Sequence, residues 1–264
     1  MDLGLRDKVM VVTGGASGIG EGITRALYAE GAIPIVVGRN QEKADRLLTD
    51  LGGGHAITKT LGPPESCREV AEEALSIKGR IDGLVNNAGA NDGVGLEHGS
   101  PEKFLTSLQN NLHHYYFLAH YLLDALKQTQ GSILNISSKT ALTGQGGTSA
   151  YAAAKGAQLA LTREWAVELL PYGIRVNAIV PAEVMTPLYR SWLDSFPDPA
   201  AKQRSIEQHV PLAQRMTTSQ EIADMSLFLL SQRASHMTGQ HLFVDGGYVH
   251  LDRALAGLDK PNDT

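Results

Sequence analysis

The chain lacks the features of a disulfide-bonded, membrane-spanning or secreted protein. It has one cysteine, Cys67, so it can form neither an internal disulfide nor a thiolate metal cluster. No run approaches the roughly 20 apolar residues of a membrane span, and the charged segment 1–8 has no apolar core of a signal peptide. We therefore expect a cytoplasmic protein without a membrane partner.

A strong excess of charge of one sign is also missing. The 264 residues include 23 basic and 28 acidic side chains, a formal net charge of −5, and no basic tract. Nucleic acids and anionic membranes are bound by basic surfaces, so we expect a small-molecule ligand instead. His113 and His114 are adjacent and would point in different directions on a helix, so no metal site is predicted. No Gly-x-Ser-x-Gly elbow is present, which argues against a serine hydrolase.

What is present is a regular alternation of apolar strands and helical segments. The strand candidates are residues 9–13, 33–37, 55–60, 83–86, 132–137, 175–180 and 241–244. Helices are predicted at residues 21–30, 101–127, 151–170 and 219–230, among others. The pattern predicts an α/β fold with a doubly wound parallel sheet of about seven strands and a ligand at the carboxyl ends of the strands.

A glycine-rich turn follows the first strand and precedes the first helix. Residues 13–20 read TGGASGIG. Glycines let the backbone approach a pyrophosphate, and the N–H groups at the start of a helix attract its charge. The spacing is Gly-x-x-x-Gly-x-Gly, not the commoner Gly-x-Gly-x-x-Gly, and alone it could be an ordinary tight turn. In this context it predicts a dinucleotide site.

A tyrosine and a lysine four residues apart follow far downstream. Tyr151 and Lys155 would share a helix face, so the ammonium can favour the ionised phenol. A tyrosine pKa of about 10 must fall before the side chain can act as a base near neutral pH. Ser138 lies thirteen residues before Tyr151 and could donate to an oxygen that gains charge. Alone, each of these residues could be purely structural.

Together these motifs resemble those of the classical short-chain dehydrogenases/reductases. Six match in order: residues 13–20, Asn86-Asn87-Ala88-Gly89, Asn111, Asn135-Ile136-Ser137-Ser138, Tyr151 with Lys155, and residues 175–181. The resemblance implies a single NAD(P)-binding Rossmann-type domain over residues 1–264, with strand order 3-2-1-4-5-6-7 and a small substrate-binding helical insert at about 184–215. It also implies a homotetramer in which the helices at 101–127 and 151–170 pair across two-fold axes.

The resemblance also implies roles for the matching side chains. Tyr151 is expected to act as acid and base, Ser138 to hold the substrate oxygen, Lys155 to bind the nicotinamide ribose, and Asn111 to position a water in a proton relay. The expected cofactor contacts are Gly14, Ser17, Gly18, Ile19, Gly20, Arg39, Asn40, Leu61, Asn87, Ala88, Gly89, Tyr151, Lys155, Pro181, Val184 and Thr186.

The end of the second strand bears on the choice of cofactor. An acidic residue there would bind the ribose 2′-hydroxyl of NAD and repel a 2′-phosphate, but this chain has Gly38 followed by Arg39. A guanidinium offers charge and a planar fork to a phosphate, so we predict NADP, with NAD as second choice. The alternative is that Arg39 is an ordinary surface charge. After the third strand, Thr60-Leu61 stands where the family often has an aspartate that meets the adenine.

The segment after the sixth strand indicates the substrate. Ala182-Glu183 brings a carboxylate near the nicotinamide end of the pocket, where Asp92 is a further candidate. Buried polar groups left unpaired cost about 1–3 kcal/mol each, so such a pocket favours a polyhydroxylated substrate. The alternative is that these loop side chains are exposed or paired with one another. The predicted substrate contacts are Asn91, Ser138, Gln145, Tyr151, Glu183 and Arg190.

A closer resemblance within the family concerns residues 137–141, 143–146, 181–190 and 245–255. These segments are similar to those of the bacterial L-fucose dehydrogenases, which implies oxidation of L-fucose, L-galactose or D-arabinose at C1 to the lactone, with hydride transfer to NADP. Two alternatives stay open. One is a carbonyl reductase, for example of a 3-oxoacyl thioester, and the other is a non-catalytic dinucleotide-binding sensor.

Overall fold

The strands form one seven-stranded parallel sheet in the order β3-β2-β1-β4-β5-β6-β7. The computed structural model describes residues 2–251, so residues 252–255 of the segment compared above lie outside the described residues. The predicted fold class and strand order are confirmed. The strands are β1 (Val9–Thr13), β2 (Ile33–Gly38), β3 (His55–Thr58), β4 (Gly83–Asn86), β5 (Ser132–Ile136), β6 (Arg175–Pro181) and β7 (His241–Val244).

Helices cover both faces of the sheet. They are α1 (Gly18–Ala29), α2 (Gln41–Leu51), α3 (Pro64–Lys78), α4 (Pro101–Leu108), α5 (His114–Tyr121), α6 (Leu123–Thr129), α7 (Ser149–Glu168), α8 (Pro187–Leu193), α9 (Pro199–Glu207) and α10 (Ser219–Leu230). None of the helices in residues 2–251 is long and apolar enough to cross a membrane.

The sheet separates two apolar cores. On one face Ile23 of α1 and Ile222 of α10 pack against the strands, and on the other face Val70 of α3, Leu118 of α5 and Trp165 of α7 do so. Strands covered on both faces have no solvent side, which explains why β1 is apolar over four consecutive residues and buried throughout. The sequence therefore shows runs of apolar residues and not an alternation.

The helix predicted at residues 101–127 is interrupted, so that prediction is wrong in detail. Helix α4 ends at Leu108, and a π-helical turn, Gln109–His113, separates it from α5. Within this turn the Asn111 side chain donates from Nδ2 to the carbonyl of Ser107 at 3.0 Å. Asparagine side chains compete in this way with the backbone for the carbonyl four residues earlier, and π turns are frequent at functional sites.

The segment between β6 and α10 contains α8 and α9, within the predicted insert at 184–215. Helix α8 begins at the carboxyl end of the sheet, where the Thr186 hydroxyl accepts the Tyr189 N–H at 3.2 Å and caps the helix. A side chain on Gly18 would come within 3.1 Å of the Thr186 methyl group, so α8 starts beside the glycine-rich turn. The substrate-binding role of this insert stays a prediction.

Candidate active site

The glycine-rich turn has the backbone of an anion cradle. Gly14 and Gly18 have φ angles of +64° and +57°, which disfavour any residue with a side chain. A Cβ atom on Gly20 would lie 2.2 Å from the carbonyl oxygen of Gly14, so the turn closes only with glycine there. The Ser17 side chain makes no capping bond at the start of α1, which leaves the first N–H groups of this helix for a bound anion. These residues fit the pyrophosphate of a dinucleotide.

The end of β4 is tied to this turn by Thr13. Its hydroxyl accepts the N–H groups of Asn87 at 2.8 Å and Ala88 at 3.0 Å, and the Asn87 amide donates to the Thr13 carbonyl at 2.8 Å. Gly89 has a φ of +152°, and a side chain there would meet Asn111 Oδ1 at 2.7 Å. The predicted cofactor residues of β1 and β4 therefore line one crevice, where the strand order reverses.

The end of β2 leaves room for the adenosine side of a dinucleotide. Nothing lies within 4 Å of the place where a side chain on Gly38 would start. Arg39 is exposed and forms no ion pair within residues 2–251. The Asn40 side chain already accepts the Lys43 N–H at 2.9 Å and caps α2. Leu61 is buried, with its carbonyl oxygen 3.1 Å from the Cys67 thiol.

Ser138 and Tyr151 lie together at the carboxyl end of β5. The Ser138 Oγ accepts the Thr140 N–H at 3.2 Å, and the Thr140 hydroxyl donates to it at 3.1 Å. Burial raises the pKa of Tyr151 to about 12, although a hydrogen bond with Ser138 lowers it, and the charge of Asp92 adds to the rise. The phenol is therefore held in its neutral form near pH 7.

The Lys155 ammonium is buried and faces three protein oxygen atoms. Its Nζ donates to the Ile136 carbonyl at 2.8 Å, to Gln158 Oε1 at 3.2 Å and to the Tyr115 hydroxyl at 3.4 Å. It lies 5.4 Å from the centroid of the Tyr151 ring. Burial lowers the pKa of Lys155 to about 7. Without a bound nicotinamide the tyrosine pKa is therefore not lowered, because burial disfavours the charged forms of both side chains.

Asn111 is buried, and its side-chain amide and carbonyl oxygen are hydrogen-bonded inside the protein. Its Oδ1 accepts the Ala90 N–H at 2.8 Å, and its carbonyl oxygen accepts Gln158 Nε2 at 2.7 Å. Asn111 was expected to position a relay water, but in this structure its carbonyl oxygen accepts a hydrogen bond from the Gln158 side chain. Sequence reasoning missed Gln158, although it lies three residues after Lys155 on the same face of α7.

Lys139, which follows Ser138 in the chain, forms a buried ion pair with Glu183, which follows β6. The two side chains are 9% and 11% exposed and are hydrogen-bonded to each other. The Tyr189 hydroxyl donates to the other carboxylate oxygen at 2.7 Å, and the Lys139 Nζ lies 4.0 Å from the centroid of the Tyr248 ring. Glu183 was predicted from the sequence and Lys139 was not, although it directly follows Ser138.

Three other predicted substrate contacts, Asn91, Gln145 and Arg190, are exposed. Asn91 Oδ1 accepts the N–H of Gly93 at 3.1 Å, within its own loop. The hydrogen bonds of residues 2–251 do not join any of these three side chains to Glu183 or Tyr151, and their roles stay predictions. In the same part of the chain, no three His, Cys, Asp or Glu side chains are placed to hold a metal ion.

Comparison with known proteins identifies the family. A family model described as "Enoyl-(Acyl carrier protein) reductase" matches residues 14–249. The chain belongs to the short-chain dehydrogenase/reductase family, and it is an oxidoreductase that acts on CH–OH groups with NAD(P) as cofactor.

The relatives of the chain include enzymes named for two different activities. The chain is 35% identical to the L-fucose dehydrogenase of Bos taurus over 91% of this chain and 88% of the relative. It is 34% identical to the 3-oxoacyl-[acyl-carrier-protein] reductase FabG of Thermotoga maritima over 93% of this chain and 99% of the relative. The crystal structure of Cj0485 dehydrogenase superimposes with a TM-score of 0.93 and 47% identity, covering 97% of this chain and 99% of that one.

Proposed function

We propose that this protein is an NADP-dependent aldose 1-dehydrogenase that oxidises L-fucose, or the related L-galactose or D-arabinose, at C1 to the lactone. The observation that carries the proposal is the buried pair of Lys139, which follows Ser138 in the chain, and Glu183, which follows β6. An ammonium has three donors and a carboxylate accepts several hydrogen bonds, so the pair keeps capacity for substrate hydroxyls. A long acyl chain offers no hydrogen bonds to this remaining capacity, whereas the hydroxyls of a sugar do. The similarity to an L-fucose dehydrogenase supports the same substrate class.

In the proposed reaction, Ser138 donates a hydrogen bond to the C1 oxygen of the sugar and Tyr151 takes the proton of the C1 hydroxyl. A bound oxidised nicotinamide supplies the hydride acceptor and a positive charge. For Tyr151 to act near pH 8, its pKa must fall from about 12, which requires about 5 kcal/mol of preferential stabilisation of the phenolate. Lys155 binds the nicotinamide ribose by exchanging one of its three present acceptors, of which the Tyr115 hydroxyl at 3.4 Å is the most distant, and its protonated form contributes to that stabilisation.

NADP is proposed because the end of β2 offers no carboxylate and one free guanidinium. Arg39 is exposed and unpaired within the described part of the chain, next to the open space at Gly38. The glycine-rich turn would hold the pyrophosphate. The other residues proposed to hold the cofactor are Asn87, Ala88, Gly89, Tyr151, Lys155, Pro181, Val184 and Thr186.

The test is a spectrophotometric assay at 340 nm with purified enzyme and NADP or, separately, NAD. L-Fucose, L-galactose and D-arabinose are offered as alcohols, and a 3-oxoacyl thioester is offered with the reduced cofactor. Turnover of the sugars with NADP is expected. Silence with all three sugars, together with good reduction of the thioester, would overturn the proposal in favour of a carbonyl reductase, the function that the relative from Thermotoga maritima favours.

Variants distinguish the contribution of the proposed sugar contacts from that of the catalytic tyrosine. Glu183→Gln and Lys139→Met are each expected to lower kcat/KM for the sugar by about 100-fold, equivalent to about 3 kcal/mol. The cofactor Kd should stay unchanged. Tyr151→Phe should abolish turnover with every substrate and leave cofactor binding near normal. Lys103→Met, which removes an exposed lysine on α4, is the matched control and should behave as wild type.

We also propose a homotetramer, because α5 and α7 expose apolar side chains. Tyr116 and Val167 are 50% and 68% exposed, and Leu170 just after α7 is 57% exposed. Large apolar groups gathered on adjacent helices are typical of an interface between subunits. A sedimentation mass of four chains is expected, and a mass of one chain at micromolar concentration would contradict the proposal.

A further inference from the structure

Gln158 connects two residues of the active site through one buried carboxamide. Its side chain is completely buried in α7. Oε1 accepts the Lys155 ammonium at 3.2 Å, while Nε2 donates to the Asn111 carbonyl at 2.7 Å. The orientation of the amide is fixed by the Asn111 carbonyl, which can only accept and therefore faces Nε2. The bridge thus joins α7 to the π-helical turn 47 residues earlier in the chain.

We propose that Gln158 is a positioning residue for the reaction, which holds the Lys155 ammonium in place by bridging it to the Asn111 carbonyl. The inference rests on the role proposed above for Lys155. Burial costs the flexible lysine side chain its rotamer freedom, and the three acceptors Gln158, Tyr115 and the Ile136 carbonyl fix its position before any ligand binds. A preorganised charge needs no rearrangement when the phenolate of Tyr151 forms.

A carboxamide differs from a water molecule at this place in one chemical respect. Water can accept a proton on one side and release another with little change, whereas an amide would have to pass through an unfavourable imidic acid form. Gln158 therefore orients Lys155 and does not carry protons between Lys155 and Asn111. A smaller side chain would open space for a water at a site that already has two polar partners.

The substitutions Gln158→Leu and Gln158→Ala distinguish a polar bridge from simple packing, because the two explanations predict opposite orders of kcat. Gln158→Leu is close to glutamine in size but leaves the Lys155 ammonium and the Asn111 carbonyl without this partner. Gln158→Ala leaves a polar gap that a water can fill. For a polar bridge we expect kcat to fall more than about 10-fold with leucine and less than about 5-fold with alanine.

Simple packing would give the reverse order, because leucine fills the space and alanine leaves a cavity. A kcat with leucine equal to or above that with alanine therefore overturns the proposal. Gln220→Leu is the matched control, because this glutamine is exposed on α10 and its side chain donates to Asp224, away from Lys155 in the chain. It should leave kcat unchanged.

A second measurement does not depend on turnover. Gln158→Glu places a carboxylate against the ammonium, so Lys155 should titrate at least about one pH unit higher than in wild type, and with leucine it should titrate lower. The readout is NMR of protein labelled at lysine Cε. The titratable groups that face the ammonium are Tyr151 on α7 and Tyr115 and His114 on α5. Burial raises the pKa of both tyrosines and lowers that of His114 to about 4, so a transition near pH 7 belongs to Lys155.

An unchanged Lys155 titration in the Gln158→Glu and Gln158→Leu variants would overturn the bridge. The proposed function and the Gln158 bridge are contradicted by different results. Absence of sugar oxidation contradicts the substrate and leaves the titration valid. Turnover retained by Tyr151→Phe contradicts the catalytic assignment, and the NMR measurement still tests whether Gln158 sets the state of Lys155.

Discussion

Breaking the buried ion pair of Lys139 and Glu183 should destabilise the protein strongly, whatever its substrate. Each side chain is about one-tenth exposed, at 9% and 11%, so a charge left alone has little access to water. Removing one partner of a buried pair costs about 3–5 kcal/mol, and the slight exposure places the cost near 3 kcal/mol. The Tyr189 hydroxyl stays close to the carboxylate in Lys139→Met, but it is neutral and replaces only part of the lost interaction.

The two single changes should not be additive. In Lys139→Met with Glu183→Gln neither charge remains, so the double variant should lose no more than about 3 kcal/mol, with a coupling of about 3 kcal/mol between the sites. For a chain of this size each single variant should unfold about 6–12 °C below wild type. The assay is urea and thermal unfolding at a fixed protein concentration, because assembly shifts apparent stability.

The result that would refute this reasoning is a coupling close to zero. Single variants that each lose less than about 1 kcal/mol would mean that water screens the pair as it screens a surface salt bridge. A double variant that loses the sum of the two single losses would mean that the charges act independently. Either result would also weaken the argument that this place is desolvated enough to select a polyhydroxylated substrate.

Three further predictions concern the cofactor and the pH dependence of stability. Arg39→Ser should weaken NADP binding by about 10- to 100-fold in a fluorescence titration and leave NAD binding unchanged; equal effects on both cofactors would exclude a 2′-phosphate contact. Glu221→Gln should cost about 1 kcal/mol in urea unfolding at pH 7, because it weakens the capping box of α10 and the ion pair with Arg215. Since that pair lowers the pKa of Glu221 from 4.5 to about 2, the difference should shrink as the pH falls through this window, and a difference that is unchanged at pH 3 would contradict the assignment. Burial lowers the pKa of Lys155 from 10.5 to about 7, so between these values the unfolded chain binds the extra proton and stability rises with pH; Lys155→Met should remove the rise between pH 7 and 9, and an unaltered slope would contradict it.

The sequence by itself determined the order and type of the main elements. Apolar runs such as β1 are typical of strands that are covered on both faces of a sheet, and β1 is buried throughout. The glycines of residues 13–20 have a local physical reason, since positive φ angles and close backbone contacts exclude side chains there. The spacing of Tyr151 and Lys155 on one helix is likewise a local property.

The tertiary structure decided which distant residues meet. Lys139 and Glu183 are 44 residues apart, yet they follow the adjacent strands β5 and β6, whose register pairs Ile136 with Ile179. The register brings the two chain segments that leave these strands together at one edge of the sheet. The sequence indicated Glu183 as a pocket residue but could not show that Lys139 neutralises it.

Tertiary contacts also decided the contact of Gln158 with Asn111 and the pKa of Tyr151. The lysine four residues away suggested a lowered tyrosine pKa. Sequence spacing shows that a charge is near, but it does not show how far the tyrosine is removed from water. In the folded protein burial raises the pKa of Tyr151 to about 12, and the Lys155 ammonium is directed to Gln158 and two other acceptors. Local spacing determines which side chains share a helix face, and only the packing of that face against the π-helical turn and the sheet decides their charge and their partners.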